Sequence, residues 1–295
     1  MNQSIEQDAE LLISRLHGYR RVVIAFSGGV DSSVVAAACQ RAKLDFVCAV
    51  TAQSPSVPSW QLDTAIAIAA EIGVTHQVVQ TDEVERLDYQ RNDSNRCFYC
   101  KDTLYATISQ VIGKIVDNRG DDVTVVSGTN HDDLGDHRPG ITAGQRRHVV
   151  APLAEIGIGK SRVRDLARHF GLSNHDLPAS PCLASRIAYG VEVTSQKLLQ
   201  IEQAENWLRS RGLTECRVRL HQDGLARIEV SRNLLELVLK LDAEGQLVSQ
   251  FQSFGFKYVT LDMEGFESGK LNRAIVPLEL PKHVKKKKVS VNEHG

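Results

Sequence analysis

Two groups of residues in this 295-residue chain could do chemistry, and the first is Ser-Gly-Gly-Val-Asp-Ser at residues 27–32. An apolar run precedes the motif and a helix-like stretch follows it. Glycine lets backbone N–H groups approach an anion, and a helix start adds unpaired donors and the positive end of its dipole. The motif predicts a phosphate site in which Asp31 holds a metal ion or orients a serine hydroxyl. An ordinary tight turn would explain the glycines but not the whole motif.

The second group consists of cysteines. Cys97 and Cys100 form a Cys-x-x-Cys pair, which can hold zinc, hold an iron–sulfur cluster or act as a redox dithiol. A closed zinc site needs four ligands, and the sequence has no second such pair and no His-x-x-x-His. Cys182 lies in an irregular stretch and is either a buried loop residue or a third thiolate. Three thiolates suit a 4Fe–4S cluster with one iron left open. The cysteines with apolar or strand contexts, predicted to be structural, are Cys39, Cys48 and Cys216.

The elements that must position these residues follow from hydrophobic periodicity. We predict strands at residues 22–26, 45–50, 76–80 and 123–126, and helices at residues 4–17, 33–41, 59–72, 99–116 and 160–170. Such alternation is typical of a doubly wound α/β fold, in which helices cover both faces of a parallel sheet. Ligands of these sheets bind beyond the carboxyl ends of the strands. The loops at residues 27–32, 51–56 and 127–140 should therefore form the site.

The pattern changes after residue 171. We predict a first domain at residues 1–175, a linker at 176–193 that carries Cys182, and a small α+β domain at 194–275. The predicted elements of the small domain are helices at residues 194–211 and 233–254 and strands at 216–220, 226–230 and 258–261. Residues 276–295 have the composition of a disordered tail. Its four consecutive lysines, without aromatic residues, are weak evidence for nucleic-acid binding.

A further segment, residues 154–161, is similar to the end of a Walker A phosphate loop. Ala154 stands where that loop needs its first glycine, and a second phosphate loop is not required. We therefore interpret Lys160 and Ser161 as the start of a helix.

Composition excludes several classes of protein. The net charge of −1 gives no overall attraction to nucleic acid or to an anionic membrane, and no apolar run approaches the length of a membrane span. The N-terminus is polar and acidic, unlike a secretory signal, and six cysteines in so long a chain argue against a disulfide framework. We expect a cytoplasmic protein that binds neither nucleic acid nor membranes.

The motif at residues 27–32 resembles the PP-loop of the ATP pyrophosphatase superfamily, whose members cleave ATP between its α and β phosphates and adenylate a substrate oxygen. Six further segments narrow the resemblance. They lie at residues 95–101 (Asn-Arg-Cys-Phe-Tyr-Cys-Lys), 128–140, 181–190, 217–219, 226–229 and 255–262. Together, over about residues 5–275, they resemble the LarE family. Members of that family are ATP-dependent sulfur transferases that help to make the nickel-pincer cofactor of lactate racemase.

This resemblance implies a concrete reaction. ATP with Mg would adenylate a carboxylate of pyridinium-3,5-biscarboxylic acid mononucleotide, and a sulfur nucleophile would then displace AMP and leave a thiocarboxylate. One branch of the family takes the sulfur from a sacrificial cysteine, and the other takes it from a 4Fe–4S cluster held by three cysteines. The Cys97 and Cys100 pair favours the cluster branch. A sulfide or another sulfur donor and a homo-oligomeric assembly are also implied.

The family pattern assigns roles to individual residues. The implied ATP site comprises Ser27, Gly28, Gly29, Asp31, Ser32, Thr51, Ser127, Gly128 and Thr129. The implied substrate contacts are Lys101, Asp133, Asp136, Arg138, Ser185, Arg186, Glu205, Arg217 and Arg219. The expected cluster ligands are Cys97, Cys100 and Cys182, and the expected catalytic residues are Cys182, Asp31 and Arg186.

Several of these residues could instead have ordinary structural roles. Guanidinium groups suit the phosphate and carboxylates of such a substrate, although spacing alone would favour surface arginines. Asp133 and Asp136 could ligate Mg or orient the substrate, or they could be turn residues in a solvated loop. Three alternative functions remain open at this point: sacrificial transfer from Cys182, a PP-loop tRNA thiolase, and a zinc-stabilised adenine-nucleotide sensor.

Overall fold

The computed structural model describes residues 4–115, 123–135, 139–178, 181–243, 245–267 and 270. The first half contains the helices α1 (Ile5–His17), α2 (Val30–Arg41), α3 (Ser59–Ile72), α4 (Leu87–Gln90), α5 (Arg96–Ile115), α6 (Pro139–Arg146), α7 (Pro152–Glu155) and α8 (Lys160–His169). Its strands are β1 (Arg21–Ala25), β2 (Phe46–Gln53), β3 (Thr75–Gln80) and β4 (Val123–Ser127). No helix among the described residues is both long enough and apolar enough to span a membrane.

These four strands form one parallel sheet in the order β3-β2-β1-β4. Successive side chains of β1 point to opposite faces of the sheet, as they do in any strand, and pack into two different hydrophobic cores. Val22 and Ile24 pack with helices α1, α2, α3 and α8, whereas Val23 and Ala25 pack with α5 on the other face. The predicted doubly wound α/β fold is thereby confirmed. The chain leaves β1 towards β2 and later returns to β4 on the other side, so the switch point lies between β1 and β4.

The second half contains α9 (Ser195–Arg209), β5 (Cys216–Leu220), β6 (Leu225–Val230), α10 (Leu235–Leu241), α11 (Gln246–Ser253) and β7 (Tyr258–Leu261). Strands β5 and β6 are antiparallel, and β6 and β7 are parallel. The core of this sheet also takes in Val84 and Tyr89 from the first half. A bridge between Ile187 and Leu220 ties the connecting segment to β5. The predicted domain boundaries stay a prediction, because the two halves share packed residues.

Three differences from the predicted elements affect the site. Helix α2 begins at Val30, so Asp31 and Ser32 belong to its first turn. Helix α5 begins at Arg96 and therefore contains both Cys97 and Cys100. The predicted loop at residues 127–140 contains a short 3-10 helix, His131–Gly135, and the start of α6. The predicted tail at residues 276–295 lies outside the described residues.

Candidate active site

The phosphate loop depends on two glycines that no other residue could replace. A Cβ atom on Gly28 would lie 2.6 Å from the Cα atom of Ala65, and the φ angle of Gly28 is +70°. A Cβ atom on Gly128, at the end of β4, would lie 2.6 Å from the backbone nitrogen of Ser32. Non-bonded carbon and nitrogen atoms do not approach each other this closely. The glycines therefore let α3 and the end of β4 press against the loop.

Hydroxyl groups fold the loop around the start of α2. Ser32 Oγ donates to the carbonyl of Gly29 over 3.0 Å and accepts from the backbone nitrogen of Ser27 over 3.3 Å. Ser27 Oγ accepts from the backbone nitrogen of Gly29, also over 3.3 Å. Gly29 is the N-cap residue of α2, and no side chain caps this helix end. Unpaired N–H groups at such an end are the donors that bind phosphate.

A chain of polar contacts joins Asp31 to the loop after β4. Asn130 Nδ2 donates to Asp31 Oδ1 over 2.7 Å, and the backbone nitrogen of Asn130 donates to Asp133 Oδ2 over 3.2 Å. Burial raises the pKa of Asp31, the bond from Asn130 opposes this rise, and the negative charge of Asp133 adds to it. Lys160 Nζ lies 3.4 Å from Asp133 Oδ1. The carboxylates of Asp31, in the first turn of α2, and Asp133, in the 3-10 helix after β4, thus interact electrostatically, and a divalent cation would stabilise the pair.

A pocket of about 240 Å³ lies over the loop. Its lining includes Trp60 of α3 and two cations of α8, Lys160 and Arg164. The backbone nitrogen of Lys160 donates to Asp132 Oδ2 over 2.7 Å, which anchors the start of α8. The predicted helix start is therefore confirmed, whereas the position of Lys160 in this pocket was not predicted. The Gly-Lys-Ser sequence at residues 159–161 was the available signal.

The predicted ATP contacts outside the phosphate loop lie on β2 and at or just after the end of β4. The Thr51 hydroxyl is buried, donates to the carbonyl of Phe26 over 3.0 Å and lies 2.8 Å from His76 Nε2. Ser127 Oγ and Thr129 Oγ1 lie 3.1 Å apart. Thr51 is thus engaged in internal hydrogen bonds, whereas the other two hydroxyls lie beside Gly128 at the switch point. Their contacts with ATP stay predictions.

The three cysteines of the predicted cluster come from two places in the chain. Cys97 and Cys100 occupy the first turn of α5, and Cys182 immediately precedes the 3-10 helix Leu183–Arg186. Burial raises the pKa of the Cys100 thiol, and the negative charges of Cys182, Glu83 and Cys97 raise it further. The three thiols are therefore electrostatic neighbours. By contrast, Cys39, Cys48 and Cys216 are fully buried, and burial raises their pKa values to about 12, about 11 and about 12.

Among the described residues, no group of three or more cysteine, histidine or acidic side chains is arranged to hold a single metal ion. In a 4Fe–4S cluster each thiolate binds its own iron, so the ligand sulfurs lie farther apart than they do around one ion. Three thiolates are the type of ligand that such a cluster prefers, because sulfur is a soft donor. Cluster ligation by Cys97, Cys100 and Cys182 stays a prediction.

Hydrogen bonds fix the segment that carries Cys182. The backbone nitrogen of Leu183 donates to the carbonyl of Ser56 over 2.8 Å, in the loop after β2. Ser54 Oγ and Ser56 Oγ both donate to Glu83 Oε1, over 2.5 and 2.6 Å. Glu83 is 2% exposed, and its Oε2 atom has no hydrogen-bond partner among the described residues. The loops after β1, β2, β3 and β4 therefore all contribute to one edge of the sheet, where the phosphate loop and the cysteines both lie.

Arg186 and Glu205, both predicted to contact substrate, form a fully buried ion pair. Arg186 Nε donates to Glu205 Oε1 over 3.0 Å, and neither side chain is exposed. Arg186 Nη1 also donates to the carbonyl of Cys182 over 3.1 Å and to Ser185 Oγ over 3.0 Å. In this arrangement the guanidinium holds the backbone of Cys182. A direct contact between substrate and either side chain stays a prediction.

The two arginines of β5 differ in their partners. Arg219 is buried, pairs with Glu229 over 2.8 Å and donates to the carbonyl of Ser185 over 3.0 Å. Arg217 is half-buried and has no ion pair with a carboxylate in the part of the chain that the structure describes. Burial and the positive charge of Arg186 lower the pKa of Arg217 to about 10. A partly desolvated cation without a carboxylate is suited to bind an anion.

The remaining predicted contacts lie around α5 and α6. A Cβ atom on Gly140 would lie 3.1 Å from Lys101 Cγ, so the start of α6 packs against that lysine. Asp136 and Arg138 lie outside the described residues. Arg96 and Glu83 adjoin the cysteines and were not assigned from the sequence. Arg96 lies in the quoted Asn-Arg-Cys motif, whereas no sequence signal marks Glu83.

Comparisons with known proteins identify the family of this chain. The family description NAD synthase matches residues 9–182, more than half of the chain. An uncharacterised protein of Synechocystis sp. is 43% identical over 86% of this chain and 93% of its own length. The pyridinium-3,5-bisthiocarboxylic acid mononucleotide synthase of Lactiplantibacillus plantarum is 33% identical over 91% of this chain and 95% of its own length. An uncharacterised protein of Methanocaldococcus jannaschii is 27% identical over 84% of this chain and 92% of its own length. With a phosphate loop at the switch point of its sheet, the chain belongs to the LarE family of ATP-dependent sulfurtransferases, within the PP-loop ATP pyrophosphatases.

Proposed function

We propose that this protein inserts sulfur into a carboxylate of pyridinium-3,5-biscarboxylic acid mononucleotide, using ATP to activate the carboxylate. The proposal rests on the position of the phosphate loop and of the cysteine group, which lie at the same edge of the sheet. The phosphate loop lies at the ends of β1 and β4, and the Cys182 segment is bonded to the loop after β2. The name of the L. plantarum relative supplies the substrate class.

In the first step a carboxylate oxygen of the substrate attacks the α phosphorus of ATP, and the bond to the β phosphate breaks. The products are an acyl adenylate and pyrophosphate. The uncapped start of α2 and Lys160 bind the phosphates that leave. Asp31 and Asp133 would hold the Mg²⁺ that accompanies these phosphates. Fixed donors and cations of this kind stabilise developing charge without reorganisation.

In the second step a sulfur nucleophile attacks the acyl carbon, and the bond to AMP breaks, which leaves the thiocarboxylate. Cys97, Cys100 and Cys182 would hold a 4Fe–4S cluster, which supplies this sulfur when it is bound. Arg217 binds the phosphate of the substrate because it is the partly buried cation of β5 that has no carboxylate partner among the described residues. Arg186 keeps Cys182 in place through its backbone carbonyl. We also expect the cytoplasmic location that the composition indicates and the homo-oligomeric assembly that the family pattern implies.

The decisive experiment is anaerobic turnover of the full chain with ATP, Mg²⁺, sulfide and the pyridinium dicarboxylate mononucleotide, followed by mass spectrometry. We expect AMP, pyrophosphate and the thiocarboxylate, and a protein mass that does not change. Visible absorption of the purified protein should show a cluster, and Ala at Cys97, Cys100 or Cys182 should each remove it. A colourless protein that contains one equivalent of zinc would contradict the cluster.

Transfer of sulfur from Cys182 itself is the second candidate mechanism. It is favoured by the partial exposure of this thiol next to a backbone that Arg186 fixes. In that case each wild-type chain would turn over once, and its mass would fall by one H₂S lost from Cys182. The Cys97→Ala and Cys100→Ala variants would retain this activity. Either result assigns the sulfur source.

A further inference from the structure

Arg96 is a buried cation at the edge of the cysteine group. It is the first residue of α5, immediately before Cys97, and is 6% exposed. Arg96 Nη1 donates to Asn92 Oδ1, whereas Nε has no hydrogen-bond partner among the described residues. No carboxylate in the described ranges forms an ion pair with Arg96. A charge buried without a counter-charge destabilises a protein strongly, so this position calls for an anion.

The guanidinium cannot turn away to solvent, because its partner Asn92 is itself fixed. Asn92 is fully buried, and its Nδ2 atom donates to the carbonyls of Ala188 over 2.8 Å and Val191 over 2.9 Å. The guanidinium carbon of Arg96 also lies 5.9 Å from the centre of the Tyr189 ring. Arg96 is therefore clamped between the start of α5 and the segment that follows Cys182.

Several charged or titratable groups face this region. Burial lowers the pKa of Arg96, but the negative charges of Cys182 and Cys97 outweigh that effect and raise it. Glu83 lies on the Cys100 side of the group, where its charge acts on that thiol. Burial raises the pKa of Tyr89, and the negative charges of Cys182 and Cys100 raise it further. Arg96 directly precedes Cys97 in α5, and its partner Asn92 is bonded to the segment that follows Cys182, so the sulfur atoms of the cysteine group are the anions available to this guanidinium.

We propose that Arg96 is the counter-charge of the sulfur-bearing centre, and that Glu83 opposes it from the Cys100 side. This inference rests on the proposed function, because it assumes that the three thiolates hold an iron–sulfur cluster. The positive charge stabilises the more negative states of that centre, including its reduced form and a bound hydrosulfide anion. Charge near a cluster sets its reduction potential, so Arg96 raises the potential and Glu83 lowers it.

Charge-changing variants of the full chain, reconstituted anaerobically with iron and sulfide, test the proposal. Arg96→Gln removes the charge but keeps an amide that can reach Asn92, and Arg96→Lys keeps the charge. Arg146→Gln is the matched control, because Arg146 is exposed and lies 4.9 Å from the Phe98 ring of the same Cys-x-x-Cys segment. The readouts are iron content, the rate of cluster loss to a chelator, and the reduction potential from a spectroscopic titration.

We expect Arg96→Gln to shift the potential to a more negative value and to speed cluster loss several-fold. Arg96→Lys and Arg146→Gln should remain near the wild type, and Glu83→Gln should shift the potential in the opposite direction. A loaded Arg96→Gln variant with wild-type potential and stability to the chelator would refute the counter-charge. Equal losses in Arg96→Gln and Arg96→Lys would refute it too, because the charge would then be irrelevant. A wild-type protein that takes up no iron would instead overturn the proposed cluster, and this inference with it.

Discussion

The guanidinium carbon of Arg209 lies 5.2 Å from the centre of the Trp60 ring. Trp60 lines the phosphate pocket, and Arg209 pairs with Glu205 of the buried arginine network over 3.1 Å. Beside this contact, the backbone nitrogen of Ser59 donates to Glu202 Oε1 over 2.7 Å. One aromatic side chain thus separates the residues expected to bind phosphate from those expected to bind substrate. Substitutions on its two sides should therefore affect ATP binding and substrate binding separately.

Lys160 should act on the ATP side. Lys160→Ala removes a cation from the phosphate pocket, where a hydrogen bond to a charged group contributes about 1.5–3 kcal/mol. We expect ATP to bind about 10- to 100-fold more weakly, with little change in substrate binding. Isothermal titration calorimetry with a non-hydrolysable ATP analogue measures this. Lys43→Ala is the control, because Lys43 is exposed and lies just beyond the C-terminal end of α2. Equal ATP affinity in the Lys160 variant and the wild type would exclude Lys160 from phosphate binding.

Arg217 should act on the substrate side. Arg217→Gln removes the half-buried cation that lacks a carboxylate partner among the described residues. We expect the KM for the mononucleotide to rise about 10-fold or more, because a charged hydrogen bond is lost, while the KM for ATP stays the same. The control is Arg211→Gln, since Arg211 stacks on Trp207 at the surface with 3.7 Å from its guanidinium carbon to the ring centre. A mononucleotide KM equal to that of the wild type would remove Arg217 from the substrate site.

Two glycines with almost the same φ angle separate backbone strain from steric contact. Gly28 and Gly73 have φ angles of +70° and +73°, but only a Cβ atom at Gly28 would meet another atom within 4 Å. Gly73→Ala should lower the free energy of unfolding by about 1–2 kcal/mol, the ordinary cost of left-handed backbone. Gly28→Ala should cost more and should abolish pyrophosphate release. Urea denaturation measures both, and equal losses of stability would show that the contact with Ala65 is unimportant.

The buried pair of Arg186 and Glu205 should dominate stability in the second half. Glu205→Gln leaves Arg186 without its counter-charge and should lower the free energy of unfolding by about 3–5 kcal/mol. Glu236→Gln is the matched control, because the exposed pair of Glu236 and Lys240 should contribute about 0–1 kcal/mol. A loss in the Glu205 variant no larger than in this control would contradict the prediction.

Acid should reveal the same pair in the wild-type protein. Burial raises the pKa of Glu205, but Arg186 and Arg209 outweigh it, so the folded-state pKa lies below the ordinary value of 4.5. The stabilising contribution is therefore complete above pH 4.5 and is lost as the pH falls through the lowered pKa. Urea denaturation at several acidic pH values should show a steeper loss of stability for the wild type than for Glu205→Gln. Parallel curves would contradict this assignment.

The sheet and its glycine loop could be predicted because their signals are local. Val22, Val23 and Ile24 form a continuous apolar run, as strands buried on both faces do. Helix α3 has the predicted bounds because Pro58 precedes it and Gly73 ends it in the left-handed conformation. Helix α6 was not predicted, because it starts with Pro139 and Gly140 and has few apolar residues.

The polar contacts of the site could not be predicted, because they join residues far apart in the chain. Lys160 reaches Asp133, and Glu83 accepts from the hydroxyls of Ser54 and Ser56. For Arg96 the informative property is a buried charge without a carboxylate in the described ranges. A property of that kind depends on the folded surroundings and leaves no pattern in the sequence.

The anchoring of the Cys182 segment has a consequence for the fate of the activated substrate. Its backbone is bonded to Ser56 at Leu183 and to Asn92 at Ala188 and Val191. In the proposed reaction, a segment held in this way would not carry the sulfur as a swinging arm, so the acyl group would have to move to the sulfur. Each acyl adenylate then partitions between capture by sulfur and hydrolysis by water. The yield of thiocarboxylate per ATP, rather than the rate of ATP cleavage, should therefore respond most strongly to loosening this anchor.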